Sequence, residues 1–176
     1  PAHFSGVYGL KPTHGRVPCW PVSNNDMATH IGPLTRSVED AAYMLQAIAG
    51  PHPWDFTSLD SPVPDYPALL RSASLKGKRI AYSRTLGHAR VDPEIAEAVE
   101  AAVRVVADLG AEIEEVEPAW GPQGPELARF FWPATFTGRI PLLAEFRDRL
   151  DPGFVAMLEY ARHFTVQQFM EMRTRR

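Results

Sequence analysis

Cysteine is almost missing from this chain: Cys19 is the only one among 176 residues. An internal disulfide is therefore excluded, which fits a reducing compartment and a cytoplasmic location. Long apolar runs are missing as well. Nothing approaches the roughly 20 residues that span a bilayer as a helix, and no secretory leader opens the sequence. Basic residues are in slight deficit, 18 Lys and Arg against 21 Asp and Glu, for a net charge of −3. The electrostatic footprint of nucleic-acid or anionic-membrane binding is thus lacking. His3, His14, His30, His52, His88 and His163 are scattered, with no Cys-x-x-Cys or His-x-x-x-His pair, so no metal site is expected. No repeat appears at periods of about 20–50 residues.

What is present is ordinary globular composition, 45% hydrophobic and 22% charged. A chain this long buries about 70% of its unfolded surface when it folds alone. Proline is the exception at 17 residues, about twice the usual share of about 5%. The chain opens at Pro1 and finishes on Met172-Arg173-Thr174-Arg175-Arg176 with no capping signal. Both ends read as cut from a longer sequence.

Residues 1–36 hold short apolar stretches broken by Gly and Pro: Phe4 to Leu10, Gly15 to Val17, and His30 to Leu34. These suit short strands and tight loops. Ser37 reads as a helix N-cap with Asp40 three residues on. Ala41, Met44, Leu45 and Ile48 follow at helical spacing until Gly50-Pro51 ends the helix. Residues 51–75 carry Pro51, Pro53, Pro62, Pro64 and Pro67, a surface excursion with fixed turns. Lys78 to Ser83 reads as a strand. Asp92-Pro93 opens a helix running to Leu109, with Ile95, Val99, Ala102, Val103 and Val106 as its buried stripe, and Gly110 closes it. Ala111 to Val116 reads as a second strand, so the segment predicts a βαβ crossover with parallel strands. Residues 124–176 read as helices separated at Pro133, Pro141 and Pro152-Gly153.

Taken residue by residue, no active site emerges. Cys19, between Pro18 and Trp20, reads as a buried structural thiol. Glu112, Glu114, Glu115 and Glu117 read as a solvated strand edge. Gly6, Gly9 and Gly15 do not open a helix as a dinucleotide fingerprint does. Ser5 lacks the Gly-x-Ser-x-Gly elbow, while Lys11 and Lys78 read as surface side chains.

Three longer segments resemble one family. Pro1-Ala-His-Phe-Ser-Gly-Val-Tyr-Gly-Leu-Lys-Pro-Thr-His-Gly-Arg-Val-Pro18 is similar to the stretch after the nucleophile in amidase-signature hydrolases. Ile31-Gly-Pro-Leu-Thr-Arg-Ser-Val-Glu-Asp-Ala-Ala42 resembles a helix start of that family. Lys76 to Ala81, Val91 to Ile95 and Leu109 to Val116 resemble its next βαβ unit. The likeness is close over 1–118 and loose over 119–176.

The resemblance implies an α/β fold, a mixed sheet covered by helices on both faces. Residues 1–118 would form its sheet-containing core, and 119–176 a variable helical region on the substrate side. It also implies hydrolysis of a carboxylic amide by a Ser–cis-Ser–Lys triad without metal or organic cofactor. Pro1-Ala2 matches the end of the motif Gly-Ser-x-Arg-x-Pro-Ala, so the triad is expected before Pro1 and no catalytic residue within the chain. Ser5 and Lys11 match the strand after the nucleophile and are not substitutes. Thr29 stands where the A subunits of tRNA-dependent amidotransferases usually carry Asp, which leans toward a stand-alone amidase. The alternatives are the A subunit of a glutamine-dependent aminoacyl-tRNA amidotransferase, or a catalytically dead binding or assembly paralogue. Implied partners are a small amide substrate and the upstream half of the same protein, with no direct nucleic acid and no membrane; a homodimer is compatible. Trp120, Phe130, Phe131, Trp132 and Phe136 are candidates for a pocket wall, with an ordinary packed aromatic core as the simpler reading.

Overall fold

The computed structural model describes residues 1–23 and 28–176. The chain divides into two units, 1–74 and 75–176. Both are mixed α/β, as the resemblance implies. The strands form two separate two-stranded sheets, the first antiparallel and the second parallel.

In the first unit, α1 (Ala2–Ser5) leads through Gly6, in the left-handed conformation at φ 61°, to β1 (Tyr8–Gly9). The opening stretch, expected as strand, is thus half helix; the left-handed Gly6 turns the chain into pairing only afterwards. Strand β1 pairs with β2 (Leu34–Thr35), Tyr8 opposite Thr35 and Gly9 opposite Leu34. The approach is very close at Gly9, where an added Cβ would lie 2.5 Å from the Ala2 Cβ. No strand forms at 15–17. Helix α2 (Val38–Ile48) starts as the sequence predicts: the Ser37 hydroxyl accepts from the Asp40 N–H at 3.0 Å. Its Ala41 and Leu45 are buried. The Pro-rich excursion is not all turn. Helix α3 (Tyr66–Ser72) forms in it, capped by Asp65, which accepts from the Ala68 N–H at 2.9 Å, with Pro67 in the first turn. Proline is acceptable there because first-turn N–H groups have no helical partner. The Gln46 side chain accepts from the Tyr66 N–H at 2.9 Å and ties α3 to α2.

In the second unit, β3 (Arg79–Tyr82), α4 (Pro93–Asp108) and β4 (Glu112–Glu115) form the expected βαβ crossover. Its strands are parallel, with Ile80 opposite Ile113. Asp92 caps α4 by accepting from the Glu94 N–H at 3.0 Å. The buried stripe of α4 differs from the predicted one. Ala96 is the buried residue and Val103 and Val106 are half-buried, whereas Ile95, Val99 and Ala102 are exposed. A half-circumference of apolar residues is wider than the sheet beneath it, so only part of that arc is covered.

Helices α5 (Gly124–Ala134), α6 (Leu142–Phe146), α7 (Pro152–Ala161) and α8 (Val166–Arg175) follow. Pro141 and Pro152 stand at helix starts as expected, but Pro133 lies inside α5 and does not separate two helices. So near the C-terminal end, the missing N–H and the ring's clash with the preceding turn disturb little helix. Leu158 and Ala161 are fully buried, and Phe130 stacks on Phe164 at 4.5 Å between ring centroids. Thr165 opens α8 with a reciprocal capping box to Gln168. No helix among the described residues is long and apolar enough to cross a membrane.

Candidate functional site

The most constrained polar side chain of the first unit is Asp55, only 3% exposed. The Thr57 hydroxyl donates to its Oδ1 at 2.6 Å, and the Thr57 N–H donates to the same oxygen at 2.9 Å. The Cys19 N–H donates to Oδ2 at 2.7 Å. These bonds, the Thr57 hydroxyl first and the Cys19 N–H next, hold the carboxyl below its ordinary range; the charge of His14 adds to this against the opposing effect of burial. A carboxylate so occupied is a poor proton acceptor. It is a pin, tying the loop at 13–20 to the loop at 50–62.

Other bonds join the same two loops. The Arg16 guanidinium donates to the Ser61 and Pro62 carbonyls at 3.3 Å and to the Ser61 hydroxyl at 3.0 Å. The Leu59 N–H donates to the Gly15 carbonyl at 2.8 Å. Gly15 has φ 78°, and a side chain there would run into the Thr57 carbonyl, so both its backbone angle and its space require glycine. The Asp55 pin escaped sequence reasoning; its readable signal is Asp-x-Thr, whose side chain bonds the backbone two residues on.

The residues singled out in sequence do not converge. Ser5 lies exposed at the end of α1, and Lys11 is exposed in the loop after β1. Among the described residues no hydrogen bond joins them. Cys19 is half-buried, not buried as expected, and its Sγ is 3.6 Å from the Pro21 carbonyl. Its backbone N–H, bonded to Asp55, carries the structural role. His14 and His30 meet edge to face at 5.6 Å. Among the described residues no three His, Cys, Asp or Glu side chains are grouped to hold a metal ion. The acidic strand residues Glu112, Glu114 and Glu115 are exposed, and Glu114 pairs with Arg79 at 3.5 Å.

The second unit has a groove of about 550 Å³ where β3 and β4 end, floored by Tyr82, Val103, Ile113 and Val116. At its rim Arg84 pairs with Glu100 at 3.2 Å. The carboxyl ends of parallel strands are where α/β proteins most often bind ligands, yet this rim carries no nucleophile. Of the five aromatic candidates, Phe130 and Phe131 lie in the helical core, and Phe136 packs edge-on to Trp132 and Phe154. Trp120 and Trp132 remain 69% and 60% exposed.

Known proteins are similar to this chain over different extents. It is 49% identical over 117 residues to the A subunit of a glutamyl-tRNA(Gln) amidotransferase from Syntrophobacter fumaroxidans. It is 48% identical over the same length to the protein of that name from Gloeobacter violaceus. In each case 66% of this chain is covered but only 24% of the relative, so the chain spans about a quarter of the length of these proteins. Among solved structures, a bacterial aryl acylamidase of the amidase-signature family superposes with a TM-score of 0.82 at 24% identity, over 96% of this chain and 37% of that one. The 6-aminohexanoate cyclic dimer hydrolase, solved with its substrate, superposes with a TM-score of 0.71 at 25% identity, over 95% and 37%. The Amidase family profile matches residues 1–175. On that near-complete match, carried by a shared fold, this chain belongs to the amidase family of amidase-signature enzymes, hydrolases of carbon–nitrogen bonds.

Proposed function

We propose that residues 1–176 are the part of an amidase-signature hydrolase that follows its nucleophilic serine, and that the whole protein cleaves a carboxylic amide. The observation that carries this reading is the mismatch of coverage: 96% of this chain superposes on only 37% of the aryl acylamidase. The scattered positions of Ser5 and Lys11 agree with it.

In this reading a serine about four residues before Pro1 attacks the amide carbonyl carbon. Its proton passes through a second serine, held by a cis peptide, to a neutral lysine. Backbone N–H groups hold the oxyanion. The C–N bond then breaks as the proton reaches the leaving amine, and water hydrolyses the acyl-serine. The present chain contributes position. Helix α1 would begin about five residues after the nucleophile, and it is fixed to β1 by the Val7 N–H donating to the Ala2 carbonyl at 3.2 Å and by the close approach at Gly9. The helical region 119–176 supplies the substrate side, with Trp120 and Trp132 as its exposed aromatic surface.

A second reading, the A subunit of a glutamine-dependent aminoacyl-tRNA amidotransferase, is favoured by the names of the 49% and 48% identical relatives. Thr29 speaks against it and for a small-molecule amidase.

An ammonia-release assay on the longer gene product and on the 1–176 polypeptide tests the proposal. Turnover by the longer product and background rate from 1–176 are expected, since loss of a triad member alone costs several orders of magnitude. Comparable turnover by 1–176 would place the active residues inside this chain and overturn it.

A further inference from the structure

Among the described residues, His30, His52 and His88 each use the ring Nδ1 in a hydrogen bond to nearby backbone. His30 Nδ1 lies 3.2 Å from the Ala28 carbonyl, and His88 Nδ1 lies 2.8 Å from the Leu86 carbonyl. A carbonyl only accepts, so both nitrogens carry a proton, and both bonds survive when the ring takes up a second one. His52 is the reverse case. Its Nδ1 accepts from the Trp54 N–H at 3.3 Å, which requires a bare nitrogen and hence the neutral ring. Protonation would set one N–H against another. The bond belongs to the turn at 52–58, where the Asp55 N–H donates to the His52 carbonyl at 3.0 Å and the His52 N–H donates to the Ser58 hydroxyl at 3.1 Å. Asp55 points inward from this turn, whereas Trp54 is 64% exposed. Trp54 has two aromatic neighbours. Its ring meets the His52 imidazole edge to face at 5.5 Å, and the Trp20 indole lies 6.0 Å away, tilted by 55°.

We infer that this turn is an acid-responsive switch: neutral His52 holds Trp54 against Trp20, and protonated His52 releases it. Two changes act together on protonation. The Trp54 amide loses its acceptor, and the indole face gains an attraction for the imidazolium beside it. The contact with Trp20 is the one given up. Both indoles are more than half exposed, so the pair can part without opening the core. The charged and titratable groups around the turn are Asp55 and the exposed Asp60 on its own loop, and His14, Arg16 and Cys19 from the loop at 13–20. Asp55 is held by Thr57 and Cys19, and Arg16 by Ser61 and Pro62. Histidine is the side chain that ordinarily changes charge between about pH 5 and 8. His14, with His30 edge-on beside it at 5.6 Å, is therefore the group to be separated from His52.

The test is circular dichroism of the native gene product, in which two indoles in contact give an exciton couplet. Trp54→Phe identifies that couplet as the part of the spectrum it removes. The wild-type couplet is expected at about pH 8 and is expected to be lost, reversibly, by about pH 5, with the helical signal unchanged. His52→Asp and His52→Asn both keep an acceptor for the Trp54 N–H, as Asp55 does for the Thr57 N–H two residues on. Neither replacement side chain ordinarily titrates between those limits, so both variants should keep the couplet throughout. His14→Gln should respond to pH like the wild type. A couplet indifferent to pH, or absent at every pH, overturns the inference. So does a loss that survives in His52→Asn, or one that disappears in His14→Gln, which moves the response to another histidine. Loss of the helical signal together with the couplet also overturns it, since the whole unit is then unfolding.

Discussion

In residues 1–74 the structure hangs on single polar pins and on points where two backbones nearly touch. Asp55 collects donors from Cys19 and Thr57, Arg16 reaches Ser61 and Pro62, and Gly32 lies so close to Leu10 that an added Cβ would strike its carbonyl. In residues 75–176 the contacts are repetitive: a parallel ladder, a 16-residue helix and a stack of phenylalanine rings. Repetition spreads stability over many equivalent contacts, whereas a pin concentrates it in one. The first unit should therefore respond sharply to substitutions that the second would absorb.

The sharpest response is expected from Gly32→Ala. The methyl group would meet the Leu10 carbonyl and lie 2.7 Å from Pro12 Cδ, and neither backbone carbonyl nor proline ring yields easily. A loss of about 3 kcal/mol is expected, read by urea denaturation of the longer gene product. A loss below about 1 kcal/mol would mean that the β1–β2 contact relaxes freely.

Gly9→Ala probes the same region through activity. Its methyl would push Ala2 and tilt α1, and with it the serine proposed to precede Pro1. A fall of about 100-fold in kcat is expected, the size associated with displacing a reacting group by about 1 Å, with KM little changed. An unchanged kcat would separate α1 from the catalytic position.

The Asp55 pin can also be broken by acid. Its folded pKa lies below the ordinary carboxylate range, so its stabilising contribution is complete above the unfolded aspartate value of about 3.9. It is lost as pH falls through the lower folded value. The first unit should lose stability below that pH, and Asp55→Asn should flatten the acid limb while lowering stability at neutral pH. An acid limb unchanged in Asp55→Asn would assign the sensitivity elsewhere. The smallest effect is expected in the second unit: Asp92→Ala removes one cap from α4 at about 1 kcal/mol, measurable as a lower Tm. A much larger loss would show that the βαβ unit is also pinned at a single point.

The same contrast explains what was legible in the sequence. Where structure follows local periodicity or capping chemistry, as at Ser37-Asp40, Asp92-Pro93 and Gly110, the elements are readable from neighbouring residues alone. Where it follows contacts between residues distant in sequence, they are not. Asp55 sits 36 residues from Cys19, and nothing in either neighbourhood announces the partner. Helix α3 was hidden because Pro67 reads as a turn residue, although proline is at home in a first turn. The stripe of α4 was misassigned because periodicity reports which side of a helix is apolar, not how much of that side a two-stranded sheet can cover. The triad could be expected only from resemblance, since no nucleophile and base are brought together among the described residues.

The central claim, that the reacting serine precedes Pro1, is tested most directly by labelling the longer gene product with a fluorophosphonate and mapping the modified peptide. The account predicts modification of a serine about four residues upstream of Pro1, abolished by changing that serine to alanine and leaving Ser5 unmodified. Modification of Ser5, or of any serine within residues 1–176, would contradict it.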